Sequence, residues 1–139
     1  MITASRAWDR VTMARSKLSM DGDKSFCSVL ALSAISNIST EKINGLLQRR
    51  HGRGVQGWML VDAAERMGFT AVLVPKIGRG MDWNIVNTAK KHGVDLTKGM
   101  HLVFSTGHVA ALVDGELIDP WQEIKSQRVW AVYTLIRSD

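Results

Sequence analysis

A chain of 139 residues, 45% hydrophobic and 22% charged, has the size of one globular domain with a single core, which argues against a second domain. Its one cysteine excludes an intramolecular disulfide, and no Cys/His group has zinc-finger spacing, so packing alone is expected to hold the fold, as suits a reducing cytosol. The formal charge of +5 favours acidic partners, and no apolar run approaches the ~18 residues of a membrane-spanning helix.

The first residues carry Arg6, Asp9, Arg10, Arg15 and Lys17 without a long apolar run, so the expectation is a soluble, unsecreted, cytoplasmic protein. Ala7, Val11, Ala14 and Leu18 recur at three- and four-residue steps and predict a half-buried helix from Ser5 to Leu18. Asp21-Gly22-Asp23 signals a turn. The Ala-, Leu- and Ser-rich segment from Ser25 to Ile35 is too long for a typical strand and predicts a central helix with Cys27 in its first turn.

Ser39-Thr40 can cap a third helix whose apolar face is Ile43, Leu46 and Leu47, stopping near Gly52. Trp58, Val61, Ala64 and Met67 predict a fourth, ended by Gly68 in a left-handed conformation. Thr70 to Val74 is a short strand, and 81–91 a further helix ending near Gly93. Four strands follow: Met100 to Phe104, His108 to Val113, Glu116 to Ile118 and Val129 to Ile136, with Asp114-Gly115 a strong hairpin turn. Neither a repeat nor a linker divides the chain. Helices first and an antiparallel sheet later make the α+β pattern, with 1–20 an N-terminal helix, 25–68 a helical half and 70–139 a sheet half.

A thiol becomes a nucleophile when it ionises, and both the positive end of a helix and a nearby imidazolium favour the thiolate. Cys27 has the first by position. His108 can supply the second and later protonate a leaving group, while Asp119 can orient the ring. A two-residue turn at Asp114-Gly115 sets His108 opposite Trp121 and Asp119 opposite Ala110, which makes His108 and Asp119 diagonal neighbours on one face. Each residue has a plainer alternative: a structural buried cysteine, a satisfied sheet histidine, and an aspartate capping a turn before Pro120.

The stretch Phe26-Cys27-Ser28-Val29-Leu30-Ala31-Leu32-Ser33, with Gly107-His108-Val109-Ala110-Ala111-Leu112-Val113-Asp114-Gly115 and Ile118-Asp119, resembles papain-like cysteine peptidases. The likeness is to the compact group that includes bacteriocin-leader peptidases and to small papain-like proteins encoded by bacteriophages, and the ordering spans residues of about 20 to 125. It implies a papain-like fold and cleavage of a peptide, isopeptide or related amide bond through an acyl-enzyme. By this resemblance Cys27 is the nucleophile, His108 the base and Asp119 the orienting acid, with no metal or cofactor. The partner is then a peptide or protein, a host factor in the host cytoplasm if the chain is phage-encoded. One position departs from the pattern. The family usually places an oxyanion-donating glutamine about six residues before the cysteine, where this chain has Asp21, and losing one such donor costs roughly 3 kcal/mol in barrier.

Two other functions fit the residues. A non-catalytic binding or inhibitory protein on the same fold is favoured by Asp21, and nucleic-acid binding through Arg49, Arg50 and Arg53 is compatible with the basic charge but has no recognition motif beside it. Acyl transfer to an amine uses the same Cys, His, Asp order. His51, His92 and His101 belong to no constellation and are assigned to surface or loop positions. Trp58, Trp83, Trp121 and Trp130 are expected in the core or in groove walls, with Trp121 placed to shield the His108 and Asp119 pair.

Overall fold

Thr3 starts the first helix in the computed structural model by accepting a hydrogen bond from the Arg6 N–H at 3.2 Å, and the chain then runs as α1 (Ala4–Asp21). The structure describes residues 3–21, 27–36, 38–47, 57–77, 84–105, 108–119 and 128–137, with the side chains of 14–21, 27 and 28 outside that description. Four further helices are α2 (Cys27–Ser36), α3 (Thr40–Leu47), α4 (Gly57–Arg66) and α5 (Ile85–Lys91). The strands are β1 (Phe69–Leu73), β2 (Met100–Ser105), β3 (His108–Val113), β4 (Glu116–Ile118) and β5 (Val129–Arg137).

Local signals set most of these boundaries. Ser39 Oγ accepts from the Lys42 N–H at 3.2 Å, the cap that its position before Thr40 predicts. Gly68 ends the α4 segment at φ +97, where a side chain would be strained, and its N–H reaches the Glu65 carbonyl at 3.1 Å. The third helix ends at Leu47; the Gly52 expected to stop it lies outside the described residues, as do Trp83, Trp121 and the Arg49-Arg50-His51-Gly52-Arg53 run.

All strand pairs are antiparallel, in the order β1-β5-β2-β3-β4, so the described elements form an α+β architecture. The hairpin register is the expected one, with Val113 opposite Glu116 and Ala111 opposite Ile118. Asp114 and Gly115 both have positive φ, 49 and 83, the backbone of a two-residue turn whose twist matches that of its strands.

Each face of the sheet buries its own apolar cluster. On one side Ala7 and Val11 of α1, Ile43 of α3 and Leu60 of α4 join α2 against Leu102, Val109, Ala111, Val113 and Leu135. On the other, Ile85 and Ala89 of α5, with Val74, Ile77 and Leu96, cover Val103, Leu112 and Val132. From Val29 to Ser36 every residue of α2 is buried, because α1 and α3 pack on it from one side and β3 from the other. It is thus the central helix that its uniformly apolar sequence implies. Among the described residues no helix is long and apolar enough to cross a membrane.

Two expectations differ. His101 is not a surface or loop residue but is buried on β2, 3% exposed. Its Nε2 donates to the Lys98 carbonyl at 2.9 Å and its Nδ1 accepts from Thr134 Oγ1 at 3.0 Å, so both ring nitrogens are satisfied and the cost of burial is met. Trp58 and Trp130 are outside the core, 68% and 45% exposed. His92 is on the surface, as expected, at the end of α5.

Candidate active site

Two short hairpins bring His108 and Asp119 together. His108 opens β3 directly opposite Ser105, the last residue of β2, and Ser105 Oγ donates to the His108 carbonyl at 3.3 Å, pinning the start of the strand. Asp119 follows β4, one step beyond the Ala111 and Ile118 pair, and so falls opposite Ala110. The His108 Nε2 and Asp119 Oδ1 atoms are 3.0 Å apart, with the side chains 2% and 4% exposed. The atoms are at ion-pair distance but short of hydrogen-bond alignment, and the distance is the firmer guide because such contacts often tighten only when substrate binds. A buried carboxylate without compensation would be costly, so Asp119 favours a proton on Nε2. That leaves Nδ1, on the opposite edge of the ring, as the nitrogen that would serve a thiol.

Ser105 is a positioning residue that sequence reasoning missed. Its signal was present in the polar sequence Ser105-Thr106-Gly107 immediately before the histidine.

Cys27 is the first residue of α2, where helix N–H groups lack intrahelical partners and the helix dipole is positive. Its side chain lies outside the described residues, as does that of Asp21, which is the last residue of α1. Two contacts fix the direction in which α2 lies along β3. Arg10 Nη1 donates to the Ala34 carbonyl, near the end of α2, at 3.3 Å. Nearby on α1, Trp8 Nε1 donates to Glu116 Oε1 at 3.0 Å, beside the hairpin turn. The C-terminus of α2 therefore sits at the turn end of β3, and Cys27 at the end where His108 and Asp119 lie. The lengths agree, about 15 Å for the helix and about 20 Å for the strand.

Strand alternation adds a constraint. Val109, Ala111 and Val113 pack with α2, whereas Leu112 packs with α5 and Leu96. His108 shares the parity of Leu112, and Asp119 stands opposite Ala110, so the pair belongs by alternation to the α5 side of the sheet. The starts of α2 and β3 lie at the same end of the sheet, on opposite sides of it by this alternation.

A pocket of about 360 Å³ lies between Val86 and Lys90 of α5 and residues 93–97, away from these three positions. Among the described residues no group of three or more His, Cys, Asp or Glu could hold a metal ion. The chain matches no family model, no curated protein and no solved structure.

Proposed function

We propose that this protein is a papain-like thiol hydrolase acting on a peptide, isopeptide or related amide bond. The observation that carries the reading is the buried His108 and Asp119 pair, 3.0 Å apart, at the same end of the sheet as the helix that Cys27 opens. The Cys27 thiol would pass its proton to His108 Nδ1 and attack the substrate carbonyl as thiolate. The backbone N–H of Cys27 would donate to the oxyanion, and the imidazolium would protonate the departing amine. Water, deprotonated by the same imidazole, would then break the thioester, releasing the acid and restoring the thiol. Asp119 would hold the ring and offset its charge.

A thiol-reactive amide probe tests this. It should label Cys27 in the natural protein and fail after His108→Ala, and equal labelling of both would argue against a coupled pair.

A second reading, a catalytically silent papain-fold protein that binds a host protein, is favoured by two observations. Asp21 stands where an oxyanion donor is expected, and the His108 and Asp119 pair is almost fully buried on the face away from α2. Full biological effect from Cys27→Ser would support the binder and sink the enzyme.

A further inference from the structure

The two edges of the sheet are built differently. β4 has three residues, one of them Glu116, and Trp8 of α1 donates to the Glu116 carboxylate at 3.0 Å. Short length, charge and a helix alongside are ordinary defences against strand-to-strand association. β1 has none of them along its own edge. Among the described residues its one strand neighbour is β5, with which it pairs without a bulge. Its five residues, Phe69-Thr70-Ala71-Val72-Leu73, include neither a charge nor a proline. Val72 and Leu73 are 46% and 53% exposed, and they project to opposite faces of the strand.

The ladder assigns the backbone groups that point outward. Val74 N–H donates to the Val132 carbonyl at 2.9 Å, one step beyond the Leu73 and Tyr133 pair. Bonded and non-bonded pairs alternate along an antiparallel ladder, so Val72 and Thr70 exchange their hydrogen bonds with Thr134 and Ile136 of β5. The N–H and C=O groups of Phe69, Ala71 and Leu73 therefore point to the open edge. That set is symmetric about Ala71. With an identical strand antiparallel beside it, Ala71 faces Ala71 of the second copy and Phe69 faces Leu73 of the second copy, and each of these pairs is of the bonded kind. Exposed Val72 then lies beside Thr70 of the second copy.

α4 leaves room for such a strand. Its start is withdrawn across the sheet, where a Cβ on Gly57 would meet the Phe104 ring of β2 at 3.4 Å, and its end reaches β1 through Gly68, beside buried Phe69. Leu73 is left bare on the face where Phe69 is covered. Antiparallel pairing sets the covered end of each copy against the bare end of the other. Charge is compatible with the same occupant: the chain carries +5, yet β1 and its partners from Tyr133 to Ile136 add no like charges to the contact.

We propose that β1 is a homodimerisation edge, pairing antiparallel with β1 of a second copy about a two-fold axis at Ala71 and continuing the sheet through both subunits. The edge lies across the sheet from β3 and β4, so the pairing does not depend on Cys27, His108 and Asp119.

Sedimentation velocity of the full chain over a range of concentrations tests the proposal, with amide hydrogen exchange reporting on β1. A monomer–dimer equilibrium is expected, in which the Ala71 and Leu73 N–H groups exchange more slowly as concentration rises while that of Val72 changes little. Ala71→Pro removes an N–H that points outward and none that bonds β5, and should weaken the dimer about tenfold or more. Val72→Lys, which sets a charge on the exposed face of the edge, should also weaken it, while Met13→Lys on the exposed surface of α1 should not. Thermal melts of the variants separate loss of pairing from loss of fold. A natural protein that stays monomeric at its highest soluble concentration would overturn the proposal and leave the edge to a strand from another protein. A dimer that Val72→Lys leaves at equal affinity, or exchange at Ala71 that is independent of concentration, would overturn it as well.

Discussion

His108 Nε2 stands 3.0 Å from Asp119 Oδ1 across two strands whose register is set by the turn at Asp114 and Gly115. The proposed active site therefore depends on a local feature several residues away. If the turn changed length by one residue, Asp119 would pass to the other face of the sheet and the pair would separate.

Coupling between the two residues should be measurable as stability. His108→Ala and Asp119→Ala each leave a buried polar partner behind, and each should cost about 1–3 kcal/mol in urea unfolding. The double variant should cost less than the sum, by about 0.5–3 kcal/mol. Strict additivity would mean that the 3.0 Å approach carries no interaction energy.

Gly115 has φ +83, and a Cβ there would meet the Thr97 backbone at 3.4 Å, an ordinary contact. Strain in the left-handed backbone should therefore dominate Gly115→Ala, at about 1–2 kcal/mol. Probe labelling at Cys27 should fall with it if the hairpin positions His108. Unchanged stability would show that the turn tolerates another backbone conformation.

The His101 ring loses solvent on burial, which pulls its pKa below the ordinary histidine value, against smaller opposing contributions from the Lys98 carbonyl and Asp95. With the native pKa depressed, the unfolded chain takes up the proton first as pH falls. The stabilising contribution is then fully present above about pH 6.5 and is lost as pH falls through that value toward the lower native pKa. Urea midpoints taken from about pH 7.5 to pH 5 should decline, and His101→Gln should flatten that slope. An identical slope in the variant would assign the decline to other groups.

Ala111 is fully buried on the β3 face that packs with α2. Ala111→Leu should overpack this layer, costing about 1–3 kcal/mol, and should shift the α2 start relative to β3. The expected readout is a larger loss of Cys27 labelling than of folded population. Proportional losses would mean that α2 is not positioned through this contact.

Local order was legible in the residues themselves. Ser39 before Thr40 announced a cap, Gly68 a left-handed stop, and Asp114-Gly115 a turn; each acts within a few residues, so its energetic consequence is written beside it in the chain. The β3 and β4 spans and their register followed from that turn, and with them the approach of His108 to Asp119. Packing was a different matter. A histidine at 101 is the same letter whether it faces water or a Lys98 carbonyl, and only the pairing of β2 with β5 brought Thr134 to its other nitrogen. Trp58 and Trp130 were expected in the core or in groove walls because indoles contribute a large apolar area wherever they pack; their exposure removes the core reading, and the two clusters form without them.

The sequence by itself determined the α+β element order, the β3 and β4 register and the placement of Cys27 at a helix start, because these rest on contacts between near neighbours in the chain. Tertiary structure alone decided that α2 covers the face of β3 opposite to the one His108 shares with Leu112, and that Cys27 nevertheless begins at the His108 end. Those relationships join residues far apart in sequence, and close packing of two apolar clusters against one sheet is what brings them together.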